Sequence, residues 1–154
     1  MSINTLKEKE QAIEILLVED NYGDALLLRK AFDKLETKTN ISVAEDGEKG
    51  LLMLAQKGEF SEQPTPDLIL LDINLPRLNG KEVLAKIKQH DVHKYIPVIM
   101  LTSSSAEMDV LKSYDSGANA YVVKPVDLSQ LAEIAKAIEL FWFHFNITLD
   151  VGKI

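Results

Sequence analysis

The sequence predicts an α/β domain of (βα)5 type: a doubly wound sandwich around a five-stranded parallel sheet. Three observations carry that expectation. Short runs of near-continuous apolar residues recur, amphipathic stretches lie between them, and each run ends at a polar residue. Strands buried on both faces need near-continuous apolarity, and such strands belong to parallel sheets. Strand alternating with helix, joined by right-handed crossovers, puts helices on both faces of the sheet.

The first run is Ile13 to Val18, interrupted only by Glu14, and Leu28, Phe32 and Leu35 then recur at helical spacing. Asn40-Ile41-Ser42-Val43-Ala44 alternates, which suits a half-exposed edge strand. Asp46 can cap the next helix, whose Leu51, Leu54 and Ala55 share a face, and Gly58 stands where that helix should end. Pro64 and Pro66 lengthen the connection to the third strand, Leu68 to Leu71. Val83, Leu84 and Ile87 mark the third helix, and Ile96 to Leu101 the fourth strand. Val110, Leu111 and Tyr114 mark the fourth helix, which Gly117 should end, and Tyr121 to Val123 is the fifth strand. Asp127, with Gln130 three residues on, resembles a capping box and opens the last helix. These boundaries give a flexible N-terminal arm over 1–12, one domain with an extended C-terminal helix over 13–145, and a tail over 146–154. No repeat, low-complexity tract or interdomain linker interrupts the chain, so no output domain is expected.

Composition narrows the function. The 154 residues are 46% hydrophobic and 27% charged, an ordinary globular balance. The formal net charge of -7 argues against DNA or RNA binding, which needs a positive footprint to displace counterions from phosphate. No cysteine is present, which excludes disulfides, thiol nucleophiles and Cys-ligated metal sites. The start, Met-Ser-Ile-Asn-Thr-Leu-Lys-Glu-Lys-Glu-Gln, is too polar for a signal peptide, and no apolar run approaches the ~20 residues of a membrane span. A soluble, cytoplasmic domain is expected.

The residues that close the strands carry the chemistry. In open α/β sheets ligands bind outside the carboxyl ends of the strands, where the winding direction switches. Here the first strand ends in Glu19-Asp20, the third in Asp72, the fourth in Thr102 and the fifth in Lys124-Pro125. If the first and third strands are neighbours, three carboxylates converge and repel one another unless a cation intervenes. A hard divalent ion with oxygen ligands, Mg²⁺ above all, resolves that repulsion. Each acid or hydroxyl taken singly reads as a helix cap. Taken together, at four of five strand ends with a lysine opposite three acids, they read as a site.

Leu-Leu-Val-Glu-Asp-Asn (16–21), Asp-Leu-Ile-Leu-Leu-Asp-Ile-Asn-Leu-Pro (67–76), Ile-Met-Leu-Thr-Ser (99–103) and Gly-Ala-Asn-Ala-Tyr-Val-Val-Lys-Pro (117–125) follow in order, with Thr102 30 positions after Asp72 and Lys124 22 after Thr102. In these pieces the sequence resembles the receiver domain of two-component response regulators, the fold of the chemotaxis regulator. The resemblance covers roughly Ile13 to Leu140. It implies a flavodoxin-like sheet of strand order 2-1-3-4-5, and a phosphorelay function in which a sensor histidine kinase is the partner. It implies that Asp72 accepts the phosphoryl group and that Asp20 ligates Mg²⁺ directly. Glu19 joins the acidic pair that holds the metal, and Asp72 and the backbone carbonyl of Asn74 complete the set. Thr102 and the amide of Ser103 would meet the phosphoryl oxygens, and Lys124 would pair first with Asp72 and then with the phosphate. The Lys124–Pro125 bond would be cis, and Tyr121 matches the aromatic switch that follows Thr102; a half-buried strand aromatic is the equal alternative.

The last helix carries a second feature. At about 100° per residue, Leu131, Ile134, Ala135, Ile138, Phe141, Trp142 and Phe145 form one core-facing stripe. Leu140, Phe143 and Ile147 fall instead roughly 140–200° from Ile138 and need another cover. The expectation is a homodimer through these three residues, with a folded-back hydrophobic tail as the alternative. The aromatic ending Ile-Glu-Leu-Phe-Trp-Phe (138–143) and the lengthened segment before the third strand resemble the small stand-alone regulators of bacterial and cyanobacterial phytochromes.

Other functions fit less well. A flavin carrier of this fold needs a Ser/Thr/Gly-rich phosphate loop after the first strand, where Glu19-Asp20-Asn21 would repel phosphate. An Asp-nucleophile phosphatase resembles a pattern with a second Asp two residues after the nucleophile on the first strand, which ends Glu-Asp-Asn here. A binding-only pseudo-receiver usually lacks the Asp, Thr or Lys, all present here. His90, His93 and His144 show no ligand spacing and read as surface or boundary residues.

Overall fold

Thirteen elements in the computed structural model build the fold, which is described for residues 3–6, 11–103, 107–125 and 127–151. A short strand β1 (Ile3–Thr5) precedes the sandwich. The sandwich runs β2 (Ile13–Val18), α1 (Tyr22–Asp33), β3 (Thr39–Ala44), α2 (Gly47–Ala55), β4 (Leu68–Leu71), α3 (Gly80–Gln89), β5 (Val98–Thr102), α4 (Glu107–Asp115), β6 (Ala120–Val123) and α5 (Leu131–Ile138). A π-helix (Glu139–Phe145) and a last strand β7 (Ile147–Leu149) follow. Among the described residues no helix is long and apolar enough to cross a membrane.

The five sandwich strands are parallel in the order β3-β2-β4-β5-β6, which is 2-1-3-4-5 for those strands alone. Side chains alternate across a strand, and the alternation feeds two cores. Ile15, Leu17, Leu68, Leu70, Ile99 and Leu101 face Leu28 and Phe32 of α1 and Leu131, Ala135 and Ile138 of α5. Leu16, Val18, Ile69, Leu71 and Met100 face Met53 and Leu54 of α2 and Val83, Leu84 and Ile87 of α3. β4, central and buried along its whole length, needs apolar residues at every position. β3 at one edge is half-exposed, as its alternating sequence requires. The face of α4 expected to pack is open, since Leu111 and Tyr114 are both about half exposed.

Helix ends follow local chemistry. The Asp46 side chain accepts from the Lys49 amide (2.7 Å) at the start of α2. Asn21 and Asn79 do the same for α1 and α3, accepting from Asp24 (2.9 Å) and Glu82 (3.0 Å). α2 stops earlier than expected: Gln56, not Gly58, takes the left-handed C-cap (φ 55°), and its side chain donates to the Gln63 carbonyl (2.6 Å). Asp127 accepts from the Ser129 amide (3.0 Å), so it caps a 3-10 turn over Leu128–Gln130 that leads into α5, rather than α5 itself.

The chain ends correct two expectations. Ile3–Thr5 and Ile147–Leu149, read as arm and tail, pair antiparallel with Ile3 opposite Leu149. Leu6 and Val151 beside them are buried, one in each core. Phe143 is the second correction. It was expected on the uncovered stripe with Leu140 and Ile147, yet it is fully buried against the α1/α5 core. The π-helix is the reason. Its i→i+5 bonding, closed by the Asn146 amide on the Phe141 carbonyl (2.7 Å), brings position i+5 back over position i. Phe143 therefore lies over Ile138, whereas an α-helix would turn it about 140° away. The same change exposes Phe141 and Phe145, which the α-helical wheel had placed inward. Leu140 and Ile147 are exposed, as expected.

Candidate functional site

Parallel strands end at one edge of the sheet, and that edge gathers the polar residues that follow them. The register of β2 with β4 sets Val18 beside Leu71, so Glu19 and Asp20 come next to Asp72. The Asp72 amide donates to the Val18 carbonyl (3.1 Å) and the Glu19 amide to the Ala44 carbonyl (3.0 Å), which fixes both backbones. Thr102 pairs with Val123 across β5 and β6, and the Lys124 amide donates to the Thr102 carbonyl (2.7 Å). At the third strand end, Gly80 is required: a Cβ there would lie 2.1 Å from the Asp72 carbonyl oxygen. That contact lets the start of α3 close on the backbone of Asp72.

The side chains form one charged cluster. One carboxylate oxygen each of Glu19, Asp20 and Asp72 lies within 4.8 Å of the others. Glu19, Asp72 and Thr102 are buried and Asp20 is exposed, so the cluster opens to solvent on the Asp20 side. The Lys124 ammonium donates to Glu19 Oε1, to Asp72 Oδ2 (3.1 Å) and to Asp24 Oδ2 (3.2 Å). The Asn74 amide donates to Asp72 Oδ1 (3.0 Å), while the Asn74 side chain is exposed. Ser103 is exposed and lines a cavity of about 290 Å³ with Asp24, Lys124 and Pro125. Tyr121 is half-buried on β6, two residues before Val123, against the α2/α3 core. Leu140, Phe143 and Ile147 stand apart from the site, in the segment where Glu139 accepts from the Thr37 amide (2.9 Å) just ahead of β3.

Electrostatics set the protonation states. Burial pushes Glu19 up to about 8, and the neighbouring Asp72 adds to the rise. Burial alone would raise Asp72 too, but the Glu19 carboxyl, the Asn74 amide and Lys124 outweigh it and hold Asp72 below the usual carboxylate range. Burial works against the Lys124 charge, and the Glu19 and Asp72 carboxyls overcome it and keep the ammonium protonated. Asp72 is thus an ionised carboxylate, half withdrawn from water and backed by a cation.

A divalent ion fits these residues. Glu19 Oε2 is buried with no hydrogen-bond partner among the described residues, a costly state for a carboxylate oxygen. Three carboxylates open to water on one side are the donor set a hard cation takes.

A family model described as the response regulator receiver domain matches residues 15–136. The chain belongs to that receiver family. Response regulator Rcp1 of Synechocystis sp. is 41% identical over 138 residues, covering 90% of this chain and 93% of that protein. The crystal structure of the phosphorylated cyanobacterial phytochrome response regulator RcpA matches with a TM-score of 0.84 at 41% identity, over 88% of this chain and 97% of that one. The Mn²⁺-bound form of Rcp1 matches with a TM-score of 0.83 at 39% identity, over 89% of this chain and 99% of that one. This receiver is a phosphorelay signalling protein, homologous to phytochrome response regulators.

Within this receiver, the acids and the lysine expected at the strand ends converge, with Thr102 at the adjacent strand end. The Lys124–Pro125 bond is trans, not cis as the resemblance implied. Asp24 was missed by sequence reasoning. A signal existed: it lies one helical turn beyond Asp20, on a helix that starts at the same edge of the sheet.

Proposed function

We propose that Asp72 accepts a phosphoryl group from the phosphohistidine of a sensor histidine kinase of the phytochrome type. The carrying observation is a carboxylate held ionised between an ammonium 3.1 Å away and two further acids. An Asp72 oxygen attacks phosphorus, the P–N bond breaks, and its electron pair stays on the imidazole nitrogen. The product is an acyl phosphate on Asp72. Such transfers depend chiefly on positioning and charge neutralisation. Mg²⁺, held by Asp20, Asp72, Glu19 and the Asn74 carbonyl, supplies positive charge to the phosphoryl oxygens when bound. Thr102 and the Ser103 amide donate to those oxygens, Lys124 pairs with them, and Tyr121 follows Thr102 as the switch. The protein works in the cytoplasm, signals to a partner rather than turning over a substrate, and does not bind DNA.

Acetyl phosphate with Mg²⁺ should add one phosphoryl group by intact mass, and hydroxylamine should remove it. Asp72→Asn should take no label, because an amide is a far poorer nucleophile than a carboxylate. Asp20→Ala should lose both Mg²⁺ binding and labelling while folding normally, because it removes a charge from a repulsive cluster.

A further inference from the structure

We propose that Asp24 is a positioning residue of this site: it holds the Lys124 ammonium in the unphosphorylated protein and releases it to the phosphoryl group. The inference rests on the reading of Asp72 as the acceptor and deepens it.

A lysine ammonium has three N–H donors. In this structure three acceptors take them: Glu19 Oε1, Asp72 Oδ2 and Asp24 Oδ2. A phosphoryl oxygen on Asp72 can therefore gain a bond from Lys124 only if one of these is given up. The three differ in what release costs. The Glu19 and Asp72 side chains are 1% and 10% exposed, whereas that of Asp24 is 42% exposed. A buried carboxylate that loses its cation stays desolvated, while a half-exposed one is rehydrated with little loss. Asp24 is the partner Lys124 releases most readily.

Local structure presents Asp24 for this role. Asn21 Oδ1 accepts the Asp24 amide N–H at 2.9 Å and fixes the first turn of α1. The cavity of about 290 Å³ that Asp24 and Lys124 line with Ser103 and Pro125 leaves the ammonium room to move. An acid in the first turn of a helix ordinarily serves the helix dipole. Glu48 and Glu82 stand in the corresponding turns of α2 and α3, yet only Asp24 of the three reaches Lys124. A purely helical role for Asp24 would change stability and leave phosphorylation kinetics alone.

The test follows acetyl-phosphate labelling of the full chain by intact mass at saturating Mg²⁺ and varied donor. Asp24→Asn keeps the shape and removes the competing charge, and should label about two- to fivefold faster than wild type, the scale of a half-exposed ion pair. The gain should appear in the apparent KM, with Mg²⁺ affinity unchanged, and Asp24→Glu should return the rate toward wild type. Glu82→Gln removes the same charge from the same sheet edge without touching Lys124, and should label at the wild-type rate. A labelled wild type with Asp24→Asn equal or slower overturns the proposal alone, as does equal acceleration by Glu82→Gln. A wild type that takes no label overturns the acceptor reading and this proposal with it.

Discussion

Glu19 shows how much one residue's environment decides. Burial lifts its carboxyl to about 8, so the metal-free receiver holds a proton there that the unfolded chain gives up near the ordinary value. The sign follows. Between the unfolded and folded values the native state binds the extra proton, so this group's contribution to stability falls as pH rises toward about 8. A divalent ion needs the carboxylate, so binding must displace that proton. Mg²⁺ affinity should weaken by up to about tenfold per pH unit below that value, and Glu19→Gln should flatten the profile. Calorimetric titration at pH 6, 7 and 8, in buffers of different ionisation enthalpy, would read both the affinity and the released proton; an affinity that is flat across the range in wild type contradicts it. Residues of this kind were legible in the sequence because each follows a strand directly: Glu19, Asp20, Asp72, Thr102 and Lys124. Asp24 was not, because its contact with Lys124 spans 100 positions and depends on where α1 starts.

At the scale of elements, the helices show where reading by period stops working. Apolar positions of α1, α2 and α3 recur at helical spacing, and the residues so identified are largely buried: Leu28, Phe32, Leu54, Val83, Leu84 and Ile87. Beyond Ile138 the same wheel inverts, because nothing in Glu-Leu-Phe-Trp-Phe-His-Phe distinguishes a π-helix from an α-helix; only packing against α1 does. The inversion is measurable. Phe143→Ala should cost about 3–5 kcal/mol in urea unfolding, as for a fully buried aromatic. Phe141→Ala should cost about 1 kcal/mol or less, since Phe141 is half exposed. The reverse order would restore the continuous α-helix. Gly80 offers a second test at this scale. Its missing side chain lets α3 meet the backbone of Asp72, and a backbone carbonyl cannot move aside as a side chain does. Gly80→Ala should therefore cost about 3 kcal/mol, the upper end of overpacking, and should slow labelling as Asp72 shifts. Unchanged thermal unfolding would contradict that contact.

Across the whole molecule, the five-stranded order and its two cores were legible because every sandwich strand is either buried on both faces or alternates at an edge. The closure of the chain ends was not. β1 and β7 are three residues each, lie more than 140 positions apart, and carry no periodic signal of their own. Their pairing leaves Leu140, Phe141, Phe145 and Ile147 exposed together in one segment of chain. We propose that a second copy covers these residues, with Phe143 acting from within the fold, because a two-fold contact lets one apolar patch meet itself. Leu140→Asp should then convert a dimer to a monomer in sedimentation velocity without loss of secondary structure; a monomeric wild type, phosphorylated or not, would refute it. Every part of this account turns on one carboxylate, and one measurement addresses it directly. Intact mass after incubation with acetyl phosphate and Mg²⁺ should show a single hydroxylamine-sensitive phosphoryl group on wild type and none on Asp72→Asn. Undiminished labelling of Asp72→Asn would contradict the account.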